Sequence, residues 1–406
     1  MPFAPRVDHP IAAHPAAIAS ADFDRDGRAD FVTAHPEGNA VYVGLARPGG
    51  GTALIGPLTA GMGPSAVNAA DVNGDGRADV LVANALADSV SVLLGRGDGG
   101  FEPARDVPVG HAPGGIAVAD FDGDGNADIA VSSLFDDTVL VLRGGDFAAR
   151  TIIPVEGGPA GLVAADVDHN GRPDLVVAVR LHDPAVVVLA GDGRGQFQQR
   201  SRNAVGSLPS RPVVADLDRD GFADIAVAEE HGDRVSLLRG RGDGTFEPAA
   251  PVYTGAFPAA LAIADLDGDR ELDLITVDCF ADAASVLRGR GDATFEPRQS
   301  VALGAMPAAA IVADVDRDRA PDLLVANLLG GDISIVRNQS PAPLACTGDC
   351  DDRGSVAVSE LVRSVNIALG TSTLSECAAA DANADALVTI DEIVAAVQNA
   401  LSGCSR

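Results

Sequence analysis

One acidic motif, written seven times at a nearly fixed interval, constrains this chain more than any other feature. The first copy reads Asp22-Phe-Asp24-Arg-Asp26-Gly27-Arg28-Ala-Asp30, and its leading aspartate recurs at Asp71, Asp120, Asp166, Asp216, Asp265 and Asp314. Successive copies start 49, 49, 46, 50, 49 and 49 residues apart. A period of that length marks a repeat architecture in which each repeat is one supersecondary unit.

Within the third repeat, Gly115-Ile-Ala-Val-Ala-Asp120 reads as a strand entering the acidic loop. Ile129-Ala-Val-Ser reads as the strand leaving it, and Thr138-Val-Leu-Val-Leu-Arg143 as a third. These runs lack polar alternation, which suits strands covered on both faces. The Phe-Glu-Pro segment at Phe101 reads as a short outer strand, so each repeat carries the four strands of a propeller blade. Residues 3–15 align with residues 101–113, two periods on, so the chain starts with an outer strand. The last repeat, ending near Arg337, lacks one. Residues 3–12 are expected to supply it and close a ring of seven blades, leaving no open sheet edge.

The motif has the form D-x-[DN]-x-[DN]-G-x-x-D. Side-chain oxygens at positions 1, 3 and 5 can point into one concave loop, joined by the carbonyl of position 7 and closed by the aspartate at position 9. Calcium, which takes roughly six to eight hard oxygen ligands in flexible geometry, suits such a cage. The candidate metal ligands are Asp22, Asp24, Asp26, Arg28 and Asp30 in the first loop, and Asp71, Asn73, Asp75, Arg77 and Asp79 in the second. Asp120, Asp122, Asp124, Asn126 and Asp128 form the third set, and Asp166, Asp168, Asn170, Arg172 and Asp174 the fourth. Asp216, Asp218, Asp220, Phe222 and Asp224 form the fifth, and Asp265, Asp267, Asp269, Glu271 and Asp273 the sixth. Asp314, Asp316, Asp318, Ala320 and Asp322 complete the series, position 7 contributing its carbonyl throughout. Arg270 and Arg319 stand where the other loops carry the turn-forming glycine, which predicts strained or weaker sites there. The competing reading is a turn that satisfies itself by Asx-type hydrogen bonds. Seven copies of mutually repelling carboxylates favour a cation. No base or nucleophile accompanies the acids, so the loops read as structural and not catalytic.

The formal net charge of −29 argues against nucleic acid and anionic membrane surfaces as partners. All 29 basic residues are arginine. No stretch approaches the ~18 apolar residues of a spanning helix. Met1-Pro-Phe-Ala-Pro-Arg shows neither the charged nor the apolar region of a secretion signal.

The repeat, with Ala-Asp-Phe-Asp-Gly-Asp-Gly-Asn-Ala-Asp128 and the Gly95-Arg-Gly-Asp-Gly-Gly-Phe101 turn, resembles the FG-GAP/VCBS repeat of integrin α-subunits and many bacterial surface proteins. The resemblance spans residues 1–338. It implies a calcium-dependent extracellular β-propeller used for adhesion or ligand binding, without fixing the ligand.

Residues 339–345 form a short Pro-containing linker, and residues 346–406 a module of different composition. Two 12-residue loops lie there, with Asp349, Asp351, Ser355 and Glu360 as ligands of the first and Asp381, Asn383, Asp385, Leu387 and Glu392 of the second. Glu at position 12 and Val at position 8 of both match paired EF-hand loops. The half-hand layout resembles a dockerin-like pair, which implies a cohesin-like partner; a terminal cap with no partner is the alternative. Cys346, Cys350, Cys377 and Cys404 crowd this module and suggest two disulfides, with three connectivities open.

Three Arg-Gly-Asp tripeptides, at Arg96, Arg241 and Arg290, sit in one recurring turn and read as turn filling. Cys279 reads as a semi-buried free thiol. The connections between second and third strands vary most among repeats, and variable loops on a rigid scaffold make a natural binding surface. His35, Glu37, Phe135, Asp136, Arg180, His182, Glu230, His231 and Phe280 are the candidate ligand-binding residues of that face.

The fold class expected is an all-β seven-bladed β-propeller closed by the N-terminal strand, plus a small α-helical EF-hand or dockerin-like module. The expected function is that of a Ca2+-stabilised, monomeric binding, adhesion or scaffolding protein with a protein or glycan ligand and no catalytic residues. A lectin or a polysaccharide lyase or hydrolase on the same fold is the alternative, which the absence of Trp and the presence of two Tyr disfavour. Calcium loops and the cysteine-rich tail place it outside the cell.

Overall fold

The computed structural model describes residues 3–11, 14–48 and 51–339, together with Ile393 and Val397. The expected linker from residue 340 and the EF-hand ligands and cysteines of 346–406 therefore lie outside the described residues. Residues 3–339 build seven four-stranded antiparallel sheets, one per repeat. In the third blade the strands are Pro113–Ala119, Asp128–Ser133, Thr138–Leu142 and Arg150–Pro154, hydrogen-bonded in that order. The other blades repeat this meander. Among the described repeat residues the only helical element is a 3-10 turn at Cys279–Ala281.

The second strand of every blade is buried along its whole length, as expected for runs without polar alternation. Its side chains pack between blades. Val139, Val141 and Ile153 of the third blade, for instance, share a cluster with Leu162, Leu175 and Val187 of the fourth. The fully apolar strand is thus a consequence of having a neighbouring blade on each side.

The ring closes as anticipated. Val7–Pro10 pairs with Asp332–Val336 as the outer strand of the seventh blade, in register Val7↔Ile335 to Pro10↔Asp332. Phe3 adds an isolated bridge to Asn338, and Asp8 accepts a hydrogen bond from the Ser334 hydroxyl at 2.8 Å.

One strand assignment shifts. The segment at Phe101 is not the outer strand; that strand is Arg105–Pro108 of the second blade, and Phe101 makes only a bridge to Gly95. The phenyl ring has another task. It meets Phe23 of the preceding blade edge to face, with centroids 5.5 Å apart, while Gly99 N–H donates to the Phe23 carbonyl at 3.0 Å. Phe197 and Gly195 hold Phe121 in the same way, at 5.4 and 2.9 Å. The Gly-x-Gly-Asp-Gly-x-Phe turn is therefore an interblade latch. Its Asp243 and Asp292 are engaged by Thr245 and Thr294 of their own turns.

Candidate functional site

The seven acidic loops join the first and second strands and gather at one end of the ring. In each, position 1 accepts the position 6 backbone N–H at 2.7–3.0 Å. Position 5 folds back on the position 7 amide, as in Arg28 N–H to Asp26 at 2.8 Å and Asn126 N–H to Asp124 at 2.8 Å. Both contacts bend the backbone into a tight cup, and position 6 takes positive φ, 80° at Gly27 but also 72° at Arg270 and 68° at Arg319.

Position 9 plays a role that the sequence did not disclose. Asp30, Asp79, Asp128, Asp174, Asp224, Asp273 and Asp322 are all buried, and each carboxylate accepts two backbone amides. One comes from position 2 of its own loop, at 2.9–3.2 Å. The other comes from the residue leaving the third strand, at 2.6–2.9 Å. These aspartates knit the loop to the blade. Each oxygen retains a second lone pair, so this tie and a bound cation are compatible. Burial pushes Asp30 and Asp322 up to about 6, against the opposite pull of those amides. Asp79, Asp128, Asp174 and Asp224 are raised for the same reason.

The loops do concentrate acceptors. Asp22, Asp24 and Asp30 bring oxygens within 4.8 Å of one another, as do Asp120, Asp122 and Asp128, then Asp166, Asp168 and Asp174, and Asp216, Asp218 and Asp220. Asp216 Oδ1 and Asp316 Oδ1 are buried with no hydrogen-bond partner. An orphaned buried carboxylate oxygen is costly and is what a hard cation would satisfy, so the donor set fits calcium. Arginine supplies part of the neutralisation at position 3, where Arg47 meets Asp24 at 2.6 Å and Arg143 meets Asp122 at 3.4 Å.

The opposite end carries the turns between second and third strands. Six of the predicted face residues are held in pairs or clusters there. His14 binds Glu37 at 2.7 Å, and Arg180 binds Glu230 of the next blade at 2.5 Å. His111 donates both its backbone N–H and its ring to Asp136, which raises the imidazole and lowers the carboxyl. His231 lies 5.5 Å from Phe257, which lies 4.5 Å from Phe280. His182 lines a cleft of about 390 Å³ with Glu156, Gln199 and Arg202. His35 is a correction. Its ring is buried against Tyr42 and hydrogen-bonded to the Thr33 hydroxyl, so it belongs to the core and not to the face. Cys279 is likewise fully buried, and burial pushes its thiol up.

These turns are more regular than their sequences suggest. Each ends on a left-handed residue, among them Asn39, Asp88, Asp137, Asp233 and Asp282. The side chains of these five accept an amide at the entry of the following blade, for instance Ala112 N–H to Asp88 at 3.0 Å and Met306 N–H to Asp282 at 2.8 Å. Two residues before the left-handed position stand Leu86, Phe135, Leu181, Phe280 and Leu329, which are 74, 70, 47, 69 and 62 % exposed. Leu86, Leu181 and Leu329 were not foreseen; their constant offset from the turn residue is the signal that could have found them.

The family described as FG-GAP-like repeat matches residues 22–82, 71–131, 216–276 and 265–325. No curated protein matches the sequence. Many solved structures share the fold. BBS1N, solved in complex with ARL6DN, is 14% identical with a TM-score of 0.60 over 84% of this chain and 98% of that one. A catalytically inactive virginiamycin B lyase from Staphylococcus aureus, solved with quinupristin, is 13% identical with a TM-score of 0.56 over 82% and 99%. The periplasmic gluconolactonase PpgL of Pseudomonas aeruginosa is 19% identical with a TM-score of 0.54 over 72% and 86%. Such likeness shows the fold alone, shared by a lyase, a gluconolactonase and a chain solved in complex with another protein.

Proposed function

The chain belongs to the FG-GAP-like repeat family, and from that premise we propose that it is a calcium-stabilised binding module acting outside the cell, without catalysis of its own. Its ligand, a protein or glycan, docks on the face opposite the acidic loops. The observation that carries this reading is the set of five large apolar side chains raised to solvent at one turn position on that face. Large apolar side chains exposed at the same turn position in five blades of one rigid ring are a surface that a partner can cover. BBS1N held with ARL6DN supports a protein as partner only by analogy of fold.

Calcium would be held by the position 1, 3 and 5 side chains and the position 7 carbonyl of each loop, and it would supply charge neutralisation for the interstrand corner. The buried, unpartnered oxygens of Asp216 and Asp316 support this role. A cohesin-like partner for the tail rests on sequence alone.

The test is binding of labelled protein to glycan and extracellular-protein arrays, in calcium and in chelator. A variant carrying Ser in place of Leu86, Phe135, Leu181, Phe280 and Leu329 should keep its melting temperature and lose the hits. Hits that survive the five substitutions would remove the face assignment. Catalytic turnover on a polysaccharide or lactone panel would overturn the non-enzymatic reading.

A further inference from the structure

The first strands of all seven blades line a central channel of about 610 Å³, within the roughly 300–1,000 Å³ typical of ligand pockets. Its wall is made of Ala, Gly, Val, Ile, Leu, Pro and Ser, with one exception, Arg211. Among the described residues no acidic one lines it.

Arg211 breaks a rule kept by the other six blades. Two residues after the proline that opens the first strand, they carry Ala17, Ala66, Gly115, Gly161, Ala260 and Ala309. The next residue is also exceptional, because Pro212 cannot donate to the sheet. The first strand of this blade is cut to Val213–Ala215, three residues, where five of the others have seven. A shortened strand and an arginine in a small-residue column both cost stability. Local violations without a visible structural gain mark functional positions.

The guanidinium makes no hydrogen bond or ion pair with any described residue. Other arginines of this acidic chain, such as Arg47, Arg180 and Arg234, meet carboxylates or carbonyls. Arg211 lines the channel and is exposed to solvent, and the protein atoms around it lower its pKa from the ordinary value. Arginine stays charged nonetheless. A channel-lining guanidinium with no carboxylate in the lining is free to pair with an anion.

We infer that the central channel is a binding site for a small organic monocarboxylate, whose carboxylate pairs with the Arg211 guanidinium while its apolar body lies along the alanine and valine wall. One planar, forked donor matches one carboxylate. The apolar lining, with no second cation, disfavours a dianion such as phosphate. Arg211 lies five residues before Asp216, roughly 16 Å along the strand, so the site sits toward the mouth opposite the acidic loops. It stands apart from the calcium and docking readings, and either can fail without the other.

The experiment uses 4-fluorobenzoate as probe, followed by fluorine NMR on the full chain, with 4-fluorobenzyl alcohol as the uncharged control. Saturable binding of the acid is expected, with the alcohol and the Arg211→Ala variant each weaker by about tenfold or more, the worth of a charged hydrogen bond. Arg211→Lys should retain part of the affinity. Alanine or glycine at this position in the other six blades means that Arg211→Ala should melt normally. The result should be the same in calcium and in chelator. No saturable binding up to about 10 mM, equal binding by Arg211→Ala, or equal binding of acid and alcohol would overturn the proposal. Displacement by equimolar inorganic phosphate would overturn the monocarboxylate class.

Discussion

The carboxylate of Asp128 accepts the Gly144 amide at 2.6 Å and the Phe121 amide at 3.0 Å, joining an acidic loop to the exit of the third strand across 16 residues of chain. Six other aspartates do the same in their own blades. Replacing Asp128 by alanine strands two buried N–H groups, each worth roughly 1–3 kcal/mol. Asp128→Ala should therefore lower unfolding stability by about 2–5 kcal/mol in calcium-free buffer, measured by urea denaturation. A loss below about 1 kcal/mol would show that water replaces the tie.

The pH dependence follows from the same residues. Asp30 and Asp322 are raised from 3.8 to about 6, chiefly by burial, so the folded state binds protons more tightly than the unfolded one. Their contribution is fully present below pH 3.8 and is lost as pH rises toward 6. Asp136, Asp192, Asp243 and Asp292 are lowered by local hydrogen bonds and act oppositely, losing their contribution only in stronger acid. Chelated protein should thus lose melting temperature between pH 4 and 6, whereas calcium, which competes with protons for the same loops, should flatten or reverse the slope. Scanning calorimetry across that window, with and without calcium, distinguishes the two. Identical slopes would argue against a cation in the loops.

Much of the fold was legible because its cause is periodic. The spacing of the acidic motif, the unbroken apolar runs and the two-period match between residues 3–15 and 101–113 all depend on sequence distance, so the seven blades and their closure could be read directly. The misses depend on three-dimensional neighbours. The amide ties of position 9 were hidden because its two partners lie 7 and 16 residues away in different turns, and they add to the metal-ligand reading without replacing it. Phe101 looked like a strand because its partner, Phe23, belongs to another blade. His35 looked exposed because it flanks a turn, yet Thr33 and Tyr42 enclose it. Arg211 was legible in principle, since a column of Ala and Gly interrupted by Arg-Pro needs only the repeat alignment.

The strained turn in the sixth loop makes a prediction of opposite sign. Arg270 holds φ at 72°, a conformation that glycine adopts without steric cost. The first five loops have glycine there. Arg270→Gly should stabilise the protein by up to about 1 kcal/mol, offset in part by the greater freedom of glycine in the unfolded chain. Chemical denaturation checks it, and a clear loss of stability would show that the Arg270 side chain has a role of its own.

Ring closure can be tested by removing the strand that completes it. Val7–Pro10 covers the edge of Asp332–Val336, and Asp8 accepts the Ser334 hydroxyl that also bonds Asn327 at 2.8 Å. Without residues 1–10 that edge presents unpaired backbone groups and opens the polar network behind it, a template for pairing with another copy. The truncated chain should self-associate, seen as higher mass by light scattering after gel filtration. Adding back a peptide of residues 1–12 should restore the monomer if the strand acts only by covering the edge. Asp8→Ala leaves the strand in place and removes only the side-chain contact, so it should cost about 1 kcal/mol and leave the mass unchanged. A truncated protein that stays monomeric would mean the seventh blade is held by its neighbours and not by the strand from the opposite end of the repeats.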